Sequence, residues 1–168
     1  MKKIVAIALI MLLGMTVLVS CSGSPLTKAG FKKASDGTYT YLDTKTSPLG
    51  EGGVKIDVVT GAAGYVKFTV TDNSGRETVD YYKFTPAENM MLRYRYVAAM
   101  GMKYNYYFDY VAMELKKVTD ADNKDVSASL KQMGRWDSAA AETKDHAQEL
   151  MSYFKLKFGM SINEAVGK

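Results

Sequence analysis

Along residues 38–115 the chain alternates side chains suited to a buried sheet face with side chains suited to water, in short runs broken by turn residues. A period of two sends successive side chains to opposite faces of a strand, so this stretch reads as antiparallel sheet rather than as βαβ units. The clearest unit spans residues 65–84. Val66, Phe68 and Val70 share one face, Asp72-Asn73-Ser74-Gly75 turns the chain, and residues 77–84 return it. The return strand points either Val79 and Tyr81 or Tyr82 and Phe84 inward, and the pattern leaves both open. Residues 38–42 and 54–60 are expected as earlier strands, 90–99 as a later one, and 102–115 as the longest. Fourteen extended residues would run roughly 46 Å, which calls for a bulge, strong curvature or a strand shared by two sheet regions.

Residues 118–125 read as a polar turn, after which the apolar period lengthens to nearly four. Asp137 or Ser138 is placed to cap a helix at about 138–158 with Glu142 near its start, where a negative charge suits the unpaired amides. Its buried stripe is Ala147, Leu150, Met151, Phe154 and Phe158, Trp136 is a hydrophobic anchor just before it, and Gly159 ends it. Ser161-Ile162-Asn163-Glu164 has capping-box spacing and opens a final short turn. The expected fold is mainly β (α+β): an antiparallel curled sheet or small barrel with one C-terminal helix packed against it. In strand rhythm and terminal helix, though not in any diagnostic motif, this resembles a lipocalin-like barrel. That resemblance implies a cavity lined by inward-facing aromatic side chains.

The first twenty residues belong to a different calculation. Lys2 and Lys3 precede an apolar run from Ile4 to Leu13 that continues past Gly14 to Val19, the layout of a secretory signal. At about sixteen residues it is shorter than the ~20 that span a bilayer core. It ends in Leu18-Val19-Ser20-Cys21, followed by Ser22-Gly23-Ser24-Pro25. These residues resemble a bacterial lipoprotein precursor, whose lipobox carries Leu at −3, a small residue at −1 and Cys at +1. The resemblance covers residues 1–24 and implies cleavage before Cys21, a diacylglycerol on its thiol and, in many species, palmitate-type acylation of its new amino group. With two or three acyl chains at ~0.8 kcal/mol per buried methylene, such an anchor is lasting. Ser22, which is not the Asp of inner-membrane retention, favours the outer membrane or cell surface. The expected organisation is a signal peptide at 1–20, a lipidated cysteine and short tether at 21–30, and a single β-rich domain at 31–168.

Composition narrows the function classes. Removing Lys2 and Lys3 with the signal lowers the formal charge from +4 to +2, with the basic residues dispersed, which argues against a nucleic-acid partner. One Cys and one His exclude an intramolecular disulfide and the familiar structural zinc sets, so no metal and no cofactor is expected. His146 has only Glu142, Asp145 and Glu149 beside it on its helix, which reads as a surface interaction. The 120–125 loop has Lys124 and Lys131 where an EF-hand needs oxygen ligands. Asp80, Glu88, Asp109 and Glu114 would serve a carboxylate-based hydrolase if the fold paired them, but their spacing identifies no pair.

Of the 12 tyrosines, all but Tyr153 fall in expected strands. Tyr104, Tyr106, Phe108 and Tyr110 form one stripe and are the candidate ligand-lining residues, since tyrosine joins apolar area to a polar end; ordinary core packing and an exposed partner surface are the alternatives. Arg93 and Arg95, two apart, share a strand face with Lys103 on the neighbouring strand, and form either an anion-binding pair or a solvated outer face. The sequence thus points to a non-enzymatic cell-envelope lipoprotein, anchored to the membrane through Cys21, that binds a small apolar or aromatic ligand. The alternatives are a structural or adhesive lipoprotein contacting an envelope or host protein, and a hydrolase.

Overall fold

The structure, a computed structural model, describes residues 23–49 and 52–168. These form one eight-stranded antiparallel sheet in plain sequential order. Its strands are β1 (Lys32–Lys33), β2 (Tyr39–Asp43), β3 (Gly53–Val59), β4 (Tyr65–Thr71), β5 (Glu77–Thr85), β6 (Met90–Val97), β7 (Met102–Asp109) and β8 (Glu114–Asp120). A short helix α1 (Pro25–Lys28) precedes the sheet, and α2 (Ser127–Gln132), α3 (Trp136–Phe158) and α4 (Ile162–Val166) follow it.

The expected curled sheet or barrel is corrected: β1 and β8 are the two ends of the strand order and do not pair, so the sheet is open. Both edges explain this. β1 is two lysines long, too short and too charged to template another strand. The free side of β8 is taken by its own continuation, with Thr119 bridging Asp125 and the Val126 amide donating to the Val118 carbonyl at 2.9 Å. Three C-terminal helices stand where one was expected, and α3 fills the space that a barrel would have left as its lumen.

Cross-strand register defines the inner face. Tyr41, Ile56, Phe68, Tyr82, Arg93, Tyr106 and Val118 lie directly opposite one another from β2 to β8. Helix α3 runs along this row, across the strands: Glu142 meets Arg93, His146 meets Tyr82, Phe154 meets Phe68 and Phe158 meets Tyr41. The dimensions match, since seven strands cover about 29 Å at ~4.8 Å each and the 23 residues of α3 extend about 35 Å. The row beside it, Tyr39, Val58, Val66, Phe84, Met91, Phe108 and Leu115, is buried throughout.

At that end of the sheet α4 docks through Ile162, Ala165 and Val166, with the Gly61 amide donating to the Val166 carbonyl at 2.9 Å. Gly64 permits the approach, because a Cβ there would lie 2.6 Å from the Val59 carbonyl oxygen and 2.9 Å from Val166 Cβ. Ser161 closes the anticipated capping box with Glu164. The segment expected as a tether folds from Pro25 onward: Leu26 is buried, and the Phe31 that follows packs at a tilt against Phe158, ring centres 4.8 Å apart. The lipidation site assigned to Cys21, and the signal segment at 1–20, lie outside the described residues.

Candidate functional site

Tyr82 and Phe84 are the inward pair of β5, which settles the open alternative and seats Tyr82 beside Arg93 on the inner face. Arg93 is therefore not on a solvated outer face. Its side chain is 3% exposed, its Nη2 donates to Glu142 Oε1 at 2.7 Å and its Nη1 reaches Thr143 Oγ1 at 3.4 Å. The rings of Tyr82 and Tyr106 flank the guanidinium at 5.8 and 5.3 Å. Arg95 lies on the same face, 41% exposed, and donates to both oxygens of Glu142 at 3.1 and 3.3 Å. Lys103 is not part of this set, being paired with Tyr96 on the opposite face.

One carboxylate thus serves two guanidinium groups. Burial works against the charge on Glu142, but the Arg93 hydrogen bond and the fields of both arginines outweigh it and hold the carboxyl below its ordinary range. His146, expected on the surface, is half-buried and shares a 2.8 Å hydrogen bond between its Nδ1 and the Tyr82 hydroxyl. Burial first, then Arg93, lowers its pKa from 6.5, so the ring is neutral at pH 7.

The aromatic stripe divides. Phe108 is fully buried in the core, and Tyr110, beyond the end of β7, is buried with its hydroxyl donating to Asn163 and its ring edge-on to Phe84 at 5.3 Å. Neither is among the residues that line the groove formed by their neighbours Tyr104 and Tyr106. Tyr104 and Tyr106 are half-buried and form the floor of a groove of about 550 Å³ between the β6–β7 hairpin and the α2–α3 junction. Met100 and Met102 form one side and Leu130 and Met133 the other. Arg95 and Glu142 close its inner end, and Arg135 stands at its rim. Three of these methionines are exposed at the mouth, at 47%, 49% and 57% for Met100, Met102 and Met133. Thioether side chains there give an adaptable apolar surface.

Sequence reasoning missed Met133, Leu130, Arg135 and Glu142 as groove residues because they come from α2, α3 and the link between them, and α2 was not anticipated. Glu142 alone carried a signal: a carboxylate spaced four from His146 on the helix facing a strand with two arginines. Among the described residues no three His, Cys, Asp or Glu side chains cluster as metal ligands. No helix among them is long and apolar enough to cross a membrane. The 120–125 loop is a turn, with Asp120 Oδ1 accepting from the Asp122 and Lys124 amides at 3.0 and 2.9 Å. No protein-family model, curated protein or solved structure matches the chain.

Proposed function

We propose that this chain is a bacterial cell-envelope lipoprotein, anchored through Cys21, whose domain binds a small amphipathic ligand without transforming it. The observation that carries the reading is the groove. Its methionine sides and tyrosine floor suit an apolar or aromatic body. Its lining carries Arg95 and Arg135 against the single carboxylate of Glu142, an excess of one positive charge that suits an anionic head group. The anchor rests on the Leu18-Val19-Ser20-Cys21 segment.

Native and denaturing mass spectra of residues 22–168, purified gently from a cellular extract, test the groove. An extra mass present only in the native spectrum, and lost on Tyr106→Ala or Met133→Asp, is expected. A bare chain under conditions that preserve weak complexes refutes a retained ligand. Labelling the full chain in bacteria with an alkyne fatty acid tests the anchor: label on the wild type and none on Cys21→Ser is expected, and an unlabelled wild type refutes it.

A further inference from the structure

The sheet has a second face, and the helices among the described residues do not cover it: their buried residues join the core on the inner side. On this outer face Lys67 and Lys83 stand directly opposite each other on β4 and β5, a like-charge pairing that weakens a sheet. Each lysine leans over a tyrosine of the other strand, Lys67 Nζ 4.7 Å from the Tyr81 ring centre and Lys83 Nζ 4.4 Å from that of Tyr65. Next in the same row come Leu92, Tyr107 and Lys117, with Lys117 Nζ 4.7 Å from the Tyr107 ring. In the neighbouring row Tyr81 and Tyr94 stack at 5.0 Å with their planes 8° apart. Asp57 adjoins Lys67 in register, but it is engaged by Thr40 at 2.7 Å and Lys55 at 3.4 Å. Among the described residues, Lys67, Lys83 and Lys117 make no ion pair.

The face is also shaped. Lys83, Leu92 and Tyr107, with Thr85 and Met90, line a hollow of about 550 Å³, to which two hairpin loops contribute Ala62, Ala63, Ala87 and the exposed Glu88, whose carboxylate offsets Lys83 there. From Lys67 on β4 to Lys117 on β8 the row extends about 19 Å at the usual strand spacing, with lysines at both ends and the hollow over its middle, from Lys83 to Tyr107. Lysines in the middle of the face rather than around its rim argue against insertion into a bilayer, which would bury them. A protein-interface core is depleted of charge, whereas this row has lysine at three of its five positions, Lys67, Lys83 and Lys117.

We propose that this outer face is a docking surface for a linear anionic polysaccharide, its sugar rings lying against Tyr94 and Tyr107 and its acidic groups meeting Lys67, Lys83 and Lys117. The hollow over Lys83 and Tyr107 takes one sugar residue, and the lysine-tyrosine rows carry the chain across the strands. The surface is separate from the groove on the inner face, so loss of either function leaves the other intact.

The test is calorimetric titration of the full chain in a polyoxyethylene detergent with hexagalacturonate, a sulfated heparin-type hexasaccharide and uncharged maltohexaose. Binding of at least one acidic oligosaccharide, weakening with salt, is expected. Lys67→Met and Lys83→Met should each weaken it about fivefold, the upper range for an exposed ion pair. Lys144→Met on the exposed side of α3 removes the same charge and should leave affinity unchanged. Denaturation midpoints matching wild type show that the variants are folded. Silence toward both acidic probes overturns the proposal, as does equal binding of maltohexaose or an equal loss in Lys144→Met. Binding confined to detergent micelles doped with phosphatidylglycerol also overturns it and reassigns the face to a lipid surface.

Discussion

Removing Glu142 should cost far more stability than removing Arg93, although the two form one ion pair. Arg93 is 3% exposed and Glu142 43% exposed, so the two partners are stranded very differently. Glu142→Ala leaves a buried guanidinium whose Nε already has no partner and whose remaining hydrogen bond, to Thr143, is 3.4 Å long. A buried charge that loses its partner costs about 3–5 kcal/mol, and water entering where the half-exposed Glu142 stood lowers this to about 2–3 kcal/mol. Arg93→Met keeps an unbranched apolar stem between Tyr82 and Tyr106 and leaves Glu142 hydrated and still bonded to Arg95. That substitution should fall within about 1 kcal/mol of wild type on either side.

The assay is urea denaturation at neutral pH, with unchanged m-values establishing that the midpoints report stability. For a domain of this size the Glu142→Ala cost corresponds to a fall in Tm of about 5–10 °C. The double variant completes the argument: with Arg93 already Met, adding Glu142→Ala should cost little, because no buried cation remains to strand. If Arg93→Met costs as much as Glu142→Ala, or the double variant is as unstable as the Glu142→Ala single, the stranded-cation reasoning is refuted and Arg93 acts chiefly through its packing.

His146 supplies a pH prediction. Its folded pKa lies below the ordinary 6.5, so on acidification the unfolded chain takes up the proton first and stability falls as pH drops from above 6.5 through the folded value. Urea midpoints between about pH 7.5 and about pH 5 should show this slope, and His146→Phe should flatten it while costing about 1–2 kcal/mol at neutral pH for the stranded Tyr82 hydroxyl. Asp43 pins the far end of α3 by accepting from Lys157 and from the Thr46 hydroxyl and amide. Asp43→Asn should cost about 1–2 kcal/mol and raise hydrogen exchange in the last turns of the helix. Phe154→Ala empties a fully buried site between Phe68 and Phe158 and should cost about 3–5 kcal/mol. Leu156→Ser, 86% exposed on the same helix, should lie within about 0.5 kcal/mol of wild type, and equal losses at the two sites would contradict the assignment of the buried stripe.

How far the strands could be read from the sequence depended on how the chain makes its turns. The 65–84 hairpin was legible because its turn uses ordinary turn chemistry, Gly75 at φ 82° and Asp72 Oδ1 accepting from the Ser74 and Arg76 amides at 2.9 Å. The expected single strand at 102–115 is two strands, β7 and β8, joined by a turn that contains no Gly, Pro or Asn. Asp109 Oδ1 builds that turn by accepting from the Val111 and Ala112 amides at 3.0 and 2.8 Å, and Met113 adopts φ 56°. The stripe of Tyr104, Tyr106, Phe108, Tyr110 and Ala112 continues through this turn although the opposite face turns mixed, so the sequence did not report it. β8 was hidden for the opposite reason: the register shifts by one residue between Tyr107 and Phe108, so Leu115 and Val118 both point inward although three apart, and a strand imitates a polar turn.

Closure and site assembly are illegible for a related physical reason. Alternation assigns each residue to one of two faces but does not say whether the first and last strands meet, which here is decided by the two-residue β1 and the blocked edge of β8. Nor does it say what lies across a face. Arg93 and Arg95 were rightly placed together, but the carboxylate that draws them to the inner side comes from a helix some fifty residues later. Such a helix finds its register only when a carboxylate, a histidine and two phenylalanines arrive over Arg93, Tyr82, Phe68 and Tyr41 in succession. Those four meetings fix α3 along one cross-strand row. In doing so they make the inner face a closed core with a groove at one end, and among the described residues no helix covers the lysines and tyrosines of the outer face.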